Sequence, residues 1–165
     1  KNTLMDLAQH KEQVILKRKE NQQFFKRLKK VKPKVLDKLI HPLHDEVFAC
    51  TDCLKCANCC TTTGPLFTDK DISRIANHLR IRPSEFVEKY LKIDEDRDYV
   101  LKSVPCTFLG KDNYCSIYDV RPKACREFPH TDRIKQSQIL KLTEKNVEVC
   151  PAAFSIIEKL KINLK

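Results

Sequence analysis

The sequence predicts a mostly α-helical fold with a small antiparallel β element, an α+β chain in which a cysteine-rich domain follows a helical N-terminal arm. Three observations carry that expectation. Apolar residues recur at helical spacing over most of the 165 residues, while Gly occurs only 2 times and Trp is absent. Near residues 99–118, β-favouring residues flank a Gly110-Lys111-Asp112-Asn113 turn. Nine cysteines follow the arm at spacings that make an awkward disulfide framework but a natural chelate.

Residues 3 to about 31 read as one long helix. Leu4, Leu7, Val14, Phe25 and Leu28 recur at a/d-like spacing, with Lys11, Arg18 and Asn21 interrupting the stripe. The basic run from Lys17 to Lys30 admits a nucleic-acid or acidic-partner reading. A solvated helix face with Phe24, Phe25 and Leu28 packed on the body is preferred, because charge runs on helices carry no base-reading logic. Pro33 separates this helix from a second amphipathic segment through Leu36, Ile40, Leu43 and Val47, with a bend expected at Pro42. His41 and His44 lie on it and read as surface or packing residues rather than ligands.

After the first cysteines, Thr61-Thr62-Thr63-Gly64-Pro65 reads as a loop. Thr68-Asp69-Lys70-Asp71 is a capping-box variant that opens a helix with Ile72, Ile75, Ala76 and Leu79 on one face. Pro83 opens another, carrying Phe86, Val87, Tyr90 and Leu91, and Asp94 to Asp98 form a solvated turn. Tyr99-Val100-Leu101 and Tyr114 to Tyr118 are β-like and are expected to pair, bringing Cys106 and Cys115 together. Cys125 falls in a short helical turn between Pro122 and Pro129. Helices are expected from about Ile134 to Asn146 and, after Cys150-Pro151, through Ile156, Ile157 and Leu160.

The formal net charge is +10, unevenly placed: residues 1–40 hold twelve Lys/Arg against four Asp/Glu. We therefore expect a basic helical arm over residues 1–44 and a metal-binding domain over 45–165. The near-balanced remainder argues against a uniformly basic nucleic-acid-binding domain. No apolar run reaches the length of a membrane span, no signal-peptide core is visible, and the composition points to a cytoplasmic chain.

The cysteine constellation centres on Cys53-x-x-Cys56-x-x-Cys59-Cys60, completed by Cys106, Cys115, Cys125 and Cys150. Zinc and iron–sulfur clusters both take thiolates, and CxxC lets a tight turn aim two sulfurs at one centre. Were the run helical, Cys53, Cys56 and Cys60 would share a face with Cys59 to one side, so ligands must also come from elsewhere. Eight cysteines suffice for two four-thiolate centres, or for one cluster plus structural thiols. Spacing alone does not separate iron–sulfur from Zn2+. Cys50 is read as a bystander thiol at an apolar helix end.

That run, together with Pro105-Cys106-x-Phe108-Leu109, Cys115-x-Ile117-Tyr118, Arg121-Pro122-x-x-Cys125-Arg126-x-Phe128-Pro129 and Cys150-Pro151, resembles the bacterial CxxCxxCC (YkgJ-like) family. The resemblance spans about residues 45–155 and implies a zinc- or iron-chelating domain. It places Cys53, Cys56, Cys59, Cys60, Cys106, Cys115, Cys125 and Cys150 at motif positions, as metal ligands. Family members often carry Gly after the second Cys of the run, where this chain has Ala57. Flagellin lysine methylases contain a similar domain, which implies that an iron–sulfur centre can support methyl transfer; this chain shows no separate methyl-donor domain.

Two functional classes follow. One is a metal-centre protein supporting redox, metal-handling or methyl-transfer chemistry. The other is a zinc-stabilised interaction module whose basic helix docks an acidic protein partner. Thiol–disulfide exchange is disfavoured because no thioredoxin-like βαβ pattern accompanies the CxxC. Arg121 and Arg126 are candidates to bind cluster sulfur or an anion, or to brace the fold, and His130 reads as a polar residue ending a turn. No catalytic residue is legible.

Overall fold

A computed structural model describes residues 6–164. In chain order the elements are α1 (Leu7–Leu28), α2 (Pro33–Phe48), α3 (Cys53–Cys56), α4 (Asn58–Thr62), β1 (Leu66–Phe67), α5 (Asp69–Leu79), α6 (Pro83–Tyr90), β2 (Leu91–Ile93), β3 (Tyr99–Leu101), α7 (Lys123–Glu127), α8 (Leu140–Val149) and α9 (Pro151–Asn163), with short 3-10 turns at Tyr118–Val120 and Gln136–Gln138. The chain is mostly α with a small antiparallel β element, as the periodicity predicted. It divides into two compact units: the described residues up to Cys56 with those from Pro129 onward, and residues Ala57–Phe128.

In the first unit α1, α2, α8 and α9 share one core. Val14, Phe24, Phe25 and Leu28 of α1 meet Leu36, Ile40, Leu43 and Val47 of α2, Leu140 and Val147 of α8, and Phe154, Ile156, Ile157 and Leu160 of α9. Phe24, Phe25 and Leu28 thus pack as the solvated-face reading expects. Asp6 caps α1, its carboxylate accepting the Gln9 N–H at 2.9 Å; the expected start at residue 3, and Leu4, lie outside the described residues. Pro33 supplies the first turn of α2, and Pro42 lies inside it. The stripe on α1 is wider than the apolar residues alone indicate, because His10 and Asn21 are buried in it. His10 donates from Nε2 to the Val147 carbonyl at 3.0 Å and meets Phe154 edge-on; burial pushes its pKa below the ordinary 6.5.

Ion pairs lace the same helices. Lys17 pairs with Glu158, Lys161 with both Glu20 and Glu158 at 2.6 Å, and Lys159 with Glu46 at 2.8 Å. The segment before α8 is held by α2: Asp37 accepts the backbone N–H of Lys135 at 2.7 Å and of Gln136 at 2.9 Å. His41 donates to the Arg133 carbonyl at 3.0 Å, and His44 is hydrogen-bonded to Thr131 Oγ1 at 2.8 Å while stacked on Phe48. Both histidines are packing residues, as expected. The helix anticipated from Ile134 starts later, at Leu140, because this segment is pinned to α2 in a turn conformation with Lys135 at φ 61°.

The second unit is built on a three-stranded antiparallel sheet in the order β1-β3-β2, with Leu66 opposite Val100 and Leu91 opposite Leu101. Phe67, Ile72, Ile75, Phe86, Leu91, Leu101, Phe108 and Ile117 form its core, and the Phe86 and Phe108 rings stack at 6.2 Å. The expected pairing of residues 99–101 with 114–118 is not made. Strand β3 is flanked by β1 and β2 instead, and residues 109 and 115 share only an isolated bridge. The predicted capping box on α5 is present in full, with Thr68 and Asp71 bonded reciprocally. Asp94 closes the acidic turn by accepting the N–H groups of Asp96 and Asp98.

Candidate metal centre

The cysteine run is two short helices joined by a left-handed residue. Asp52 caps the first turn, accepting the Leu54 and Lys55 N–H groups at 3.1 and 3.3 Å, so Cys53 and Cys56 bracket a single turn. Ala57 then takes φ 45° and ψ 15° and starts a new helix. The second helix includes Thr61 and Thr62, which the sequence reading placed in a loop. Their hydroxyls donate to the Asn58 carbonyl at 2.9 and 2.6 Å and tie the last turn to its own start. Extension ends at Thr63, which is β-like.

This break distributes the thiols between the units. Cys53 and Cys56 lie in the first, with Cys150 at the N-terminus of α9. Cys150 Sγ accepts the Ala153 N–H at 3.5 Å; burial pushes its thiol up to about 11, and the neighbouring Cys56 and Cys53 charges add to that rise. Cys50, in the turn after α2, is exposed. Among the described residues all nine cysteines are unbridged by disulfides.

In the second unit α4 supplies Cys59 and Cys60, while Cys106, Cys115 and Cys125 come from three other segments. Cys106 N–H donates to the Cys60 carbonyl at 2.7 Å, which docks the residue 104–110 loop directly on α4. That loop turns tightly: Gly110 N–H donates to the Tyr114 carbonyl at 2.7 Å, and a Cβ at Gly110 would meet Asp112 Oδ1 at 2.7 Å. Cys115 leads into the 3-10 turn through Tyr118 N–H to its carbonyl at 3.1 Å, and Cys125 N–H bonds back to Pro122 at 3.0 Å.

A clamp that sequence reading missed positions the Cys125 segment. Asp71 is 1% exposed. It accepts from Thr68 N and Oγ1, from Arg74 Nη2 at 2.7 Å and from Lys123 N–H at 3.1 Å. Arg74 in turn donates to the Arg121 carbonyl at 2.7 Å. One carboxylate and one guanidinium therefore tie α5 to the chain that enters α7. The signal was present, since the capping-box Asp71 stands three residues before Arg74, but spacing does not reveal the remote partners.

The thiols differ in acidity. The Cys59 thiol, 4.0 Å away, holds the Cys60 pKa down to about 7; burial opposes this and the Arg121 charge assists. Burial raises Cys106 and Cys115 above the ordinary 9.0 and pushes Cys125 up to about 12, with the charge on Cys60 adding to each. The Cys60 thiol is therefore held more acidic than those of Cys106, Cys115 and Cys125, and a charge on it opposes ionisation of those three. That electrostatic pattern, in an all-sulfur donor set, fits a soft metal ion or an iron–sulfur cluster. Among the described residues no three Cys, His, Asp or Glu side chains yet stand at the spacing one ion needs.

A family model described as "Putative zinc- or iron-chelating domain" matches residues 52–151. The chain belongs to this CxxCxxCC family. Metal binding in general is therefore its shared property. An uncharacterized protein of Methanocaldococcus jannaschii is 34% identical to the CxxCxxCC chain over 90 residues, which make up 53% of this chain and 48% of that relative. This chain thus spans about half the length of the curated relative it matches. No solved structure matches it. Among the described residues no helix is long and apolar enough to cross a membrane.

Proposed function

We propose that this chain is a metal–thiolate protein whose eight motif cysteines hold zinc or an iron–sulfur cluster in groups that follow the two units. Cys60, Cys106, Cys115 and Cys125 form a four-thiolate set in the second unit, with Cys59 beside Cys60. Cys53, Cys56 and Cys150 form a smaller set in the first. The observation that carries this reading is the electrostatic coupling of the four thiols on four segments of one unit, anchored by the 2.7 Å bond from Cys106 N–H to the Cys60 carbonyl. Loading requires each buried thiol to lose its proton and the sulfurs to draw in, to about 2.3 Å for zinc. Once bound, zinc supplies a staple for the loops, whereas an iron–sulfur cluster supplies electron transfer.

The residues divide the work. Cys60 offers the ready thiolate, and the aromatic core around Phe86 and Phe108 keeps one side of the site dry. The Asp71–Arg74 clamp fixes the entry to the Cys125 turn. The test is metal per chain on protein purified without oxygen, read by elemental analysis and by visible absorption. Stoichiometric zinc with a colourless sample, or iron with brown absorption, supports the reading and names the metal. Folded protein with neither metal and nine titratable thiols overturns it.

A further inference from the structure

Arg121 has no place in the ligand set, yet its surroundings are specific. The residue lies between the Cys115 turn and the Cys125 turn. Its carbonyl is held by Arg74 at 2.7 Å, and its own N–H reaches the Tyr118 carbonyl at 3.4 Å. The guanidinium carbon sits 3.6 Å from the centroid of the Tyr118 ring. That contact orients the planar cation and leaves its edge groups to find other partners. One of them, Nε–H, is buried and has no hydrogen-bond partner. A buried, orphaned guanidinium donor is costly, so a partner that arrives with the metal would relieve it.

The chemistry of the site says which partner. A divalent ion with four thiolates keeps a double negative charge, and such a centre inside a protein needs a nearby cation or donors to its sulfurs. The Arg121 guanidinium is near enough for its charge to act on Cys60, Cys115 and Cys125 together.

We propose that Arg121 is a charge-compensating positioning residue for the four-thiolate centre, its guanidinium held flat on Tyr118 and its orphaned Nε–H directed to a ligand sulfur. This rests on the assignment of Cys60, Cys106, Cys115 and Cys125 as ligands. Its substitution leaves every sulfur in place, so it changes affinity without changing donor count. Loss of an outer-shell partner of this kind weakens metal binding about 10- to 100-fold.

The experiment exchanges cobalt(II) into the full chain and follows the sulfur-to-cobalt charge-transfer band while EDTA competes for the ion. Wild type, R121Q and R121K are compared, with far-UV circular dichroism as the check on folding. The expected result is an unchanged band shape in all three, retention weakened about 10- to 100-fold in R121Q, and most of the loss recovered in R121K. Equal retention in R121Q and wild type overturns the role of Arg121 while leaving the centre standing. A folded R121K whose retention falls about 10- to 100-fold below wild type overturns charge compensation, and this arm decides even where R121Q fails to fold. A wild type that develops no sulfur-to-cobalt band overturns the ligand assignment and this inference with it.

Discussion

Replacing Asp71 by Ala tests whether one carboxylate organises the second unit. The substitution removes bonds from Thr68 N at 3.0 Å, Thr68 Oγ1 at 2.8 Å and Lys123 N at 3.1 Å, each worth roughly 1 kcal/mol net. It also removes the Arg74 pair, whose guanidinium side is 34% exposed, so that contact adds only about 1 kcal/mol. The better helix propensity of Ala returns a few tenths, roughly 0.5 kcal/mol. The net loss comes to about 3.5 kcal/mol. All four tyrosines (Tyr90, Tyr99, Tyr114 and Tyr118) lie in this unit and Trp is absent, so tyrosine fluorescence in a urea titration reports the unit alone. A midpoint shift worth less than about 1 kcal/mol at unchanged slope would refute the clamp. The pH dependence gives a second check. Burial raises the Asp71 pKa, but the bonds from Thr68, Arg74 and Lys123 outweigh it and hold the carboxyl below its ordinary 3.8. A depressed carboxylate stabilises the fold fully above that value, and the contribution is lost as pH falls below it toward the folded pKa. Asp71→Asn should erase that acid limb, and a limb that persists unchanged would assign it to another group.

Two further predictions are local. Cys50→Ser should keep metal content and thermal stability near wild type, since Cys50 is exposed and outside the motif, whereas Cys56→Ser and Cys125→Ser should each lose metal and soluble yield; metal per chain across the three variants decides. Ala57→Gly should stabilise the protein by about 0.5–1 kcal/mol, because the left-handed conformation penalises a Cβ by roughly 1–2 kcal/mol and the added freedom of the unfolded chain offsets only part of the relief. A lower urea midpoint in Ala57→Gly would show that the methyl group packs too well to lose.

What was legible and what was not follows from how far each feature reaches along the chain. The α5 capping box needs four consecutive residues, so Thr68 and Asp71 announced it. The α1 stripe was legible at Phe24, Phe25 and Leu28, but His10 and Asn21 hid within it because a polar residue enters a core only when a distant group accepts it, as the Val147 carbonyl accepts His10. Strand β3 was seen and its partners were not. Leu66–Phe67 and Leu91–Ile93 are too short to show alternation, and Leu91 continues the apolar face of α6. The cysteines give the sharpest case. The family resemblance marks eight motif positions, but the break in the run falls at Ala57, a residue whose propensity favours continuing the helix. The CxxCxxCC run is therefore two turns belonging to two units, with the break set by the backbone conformation at one small residue.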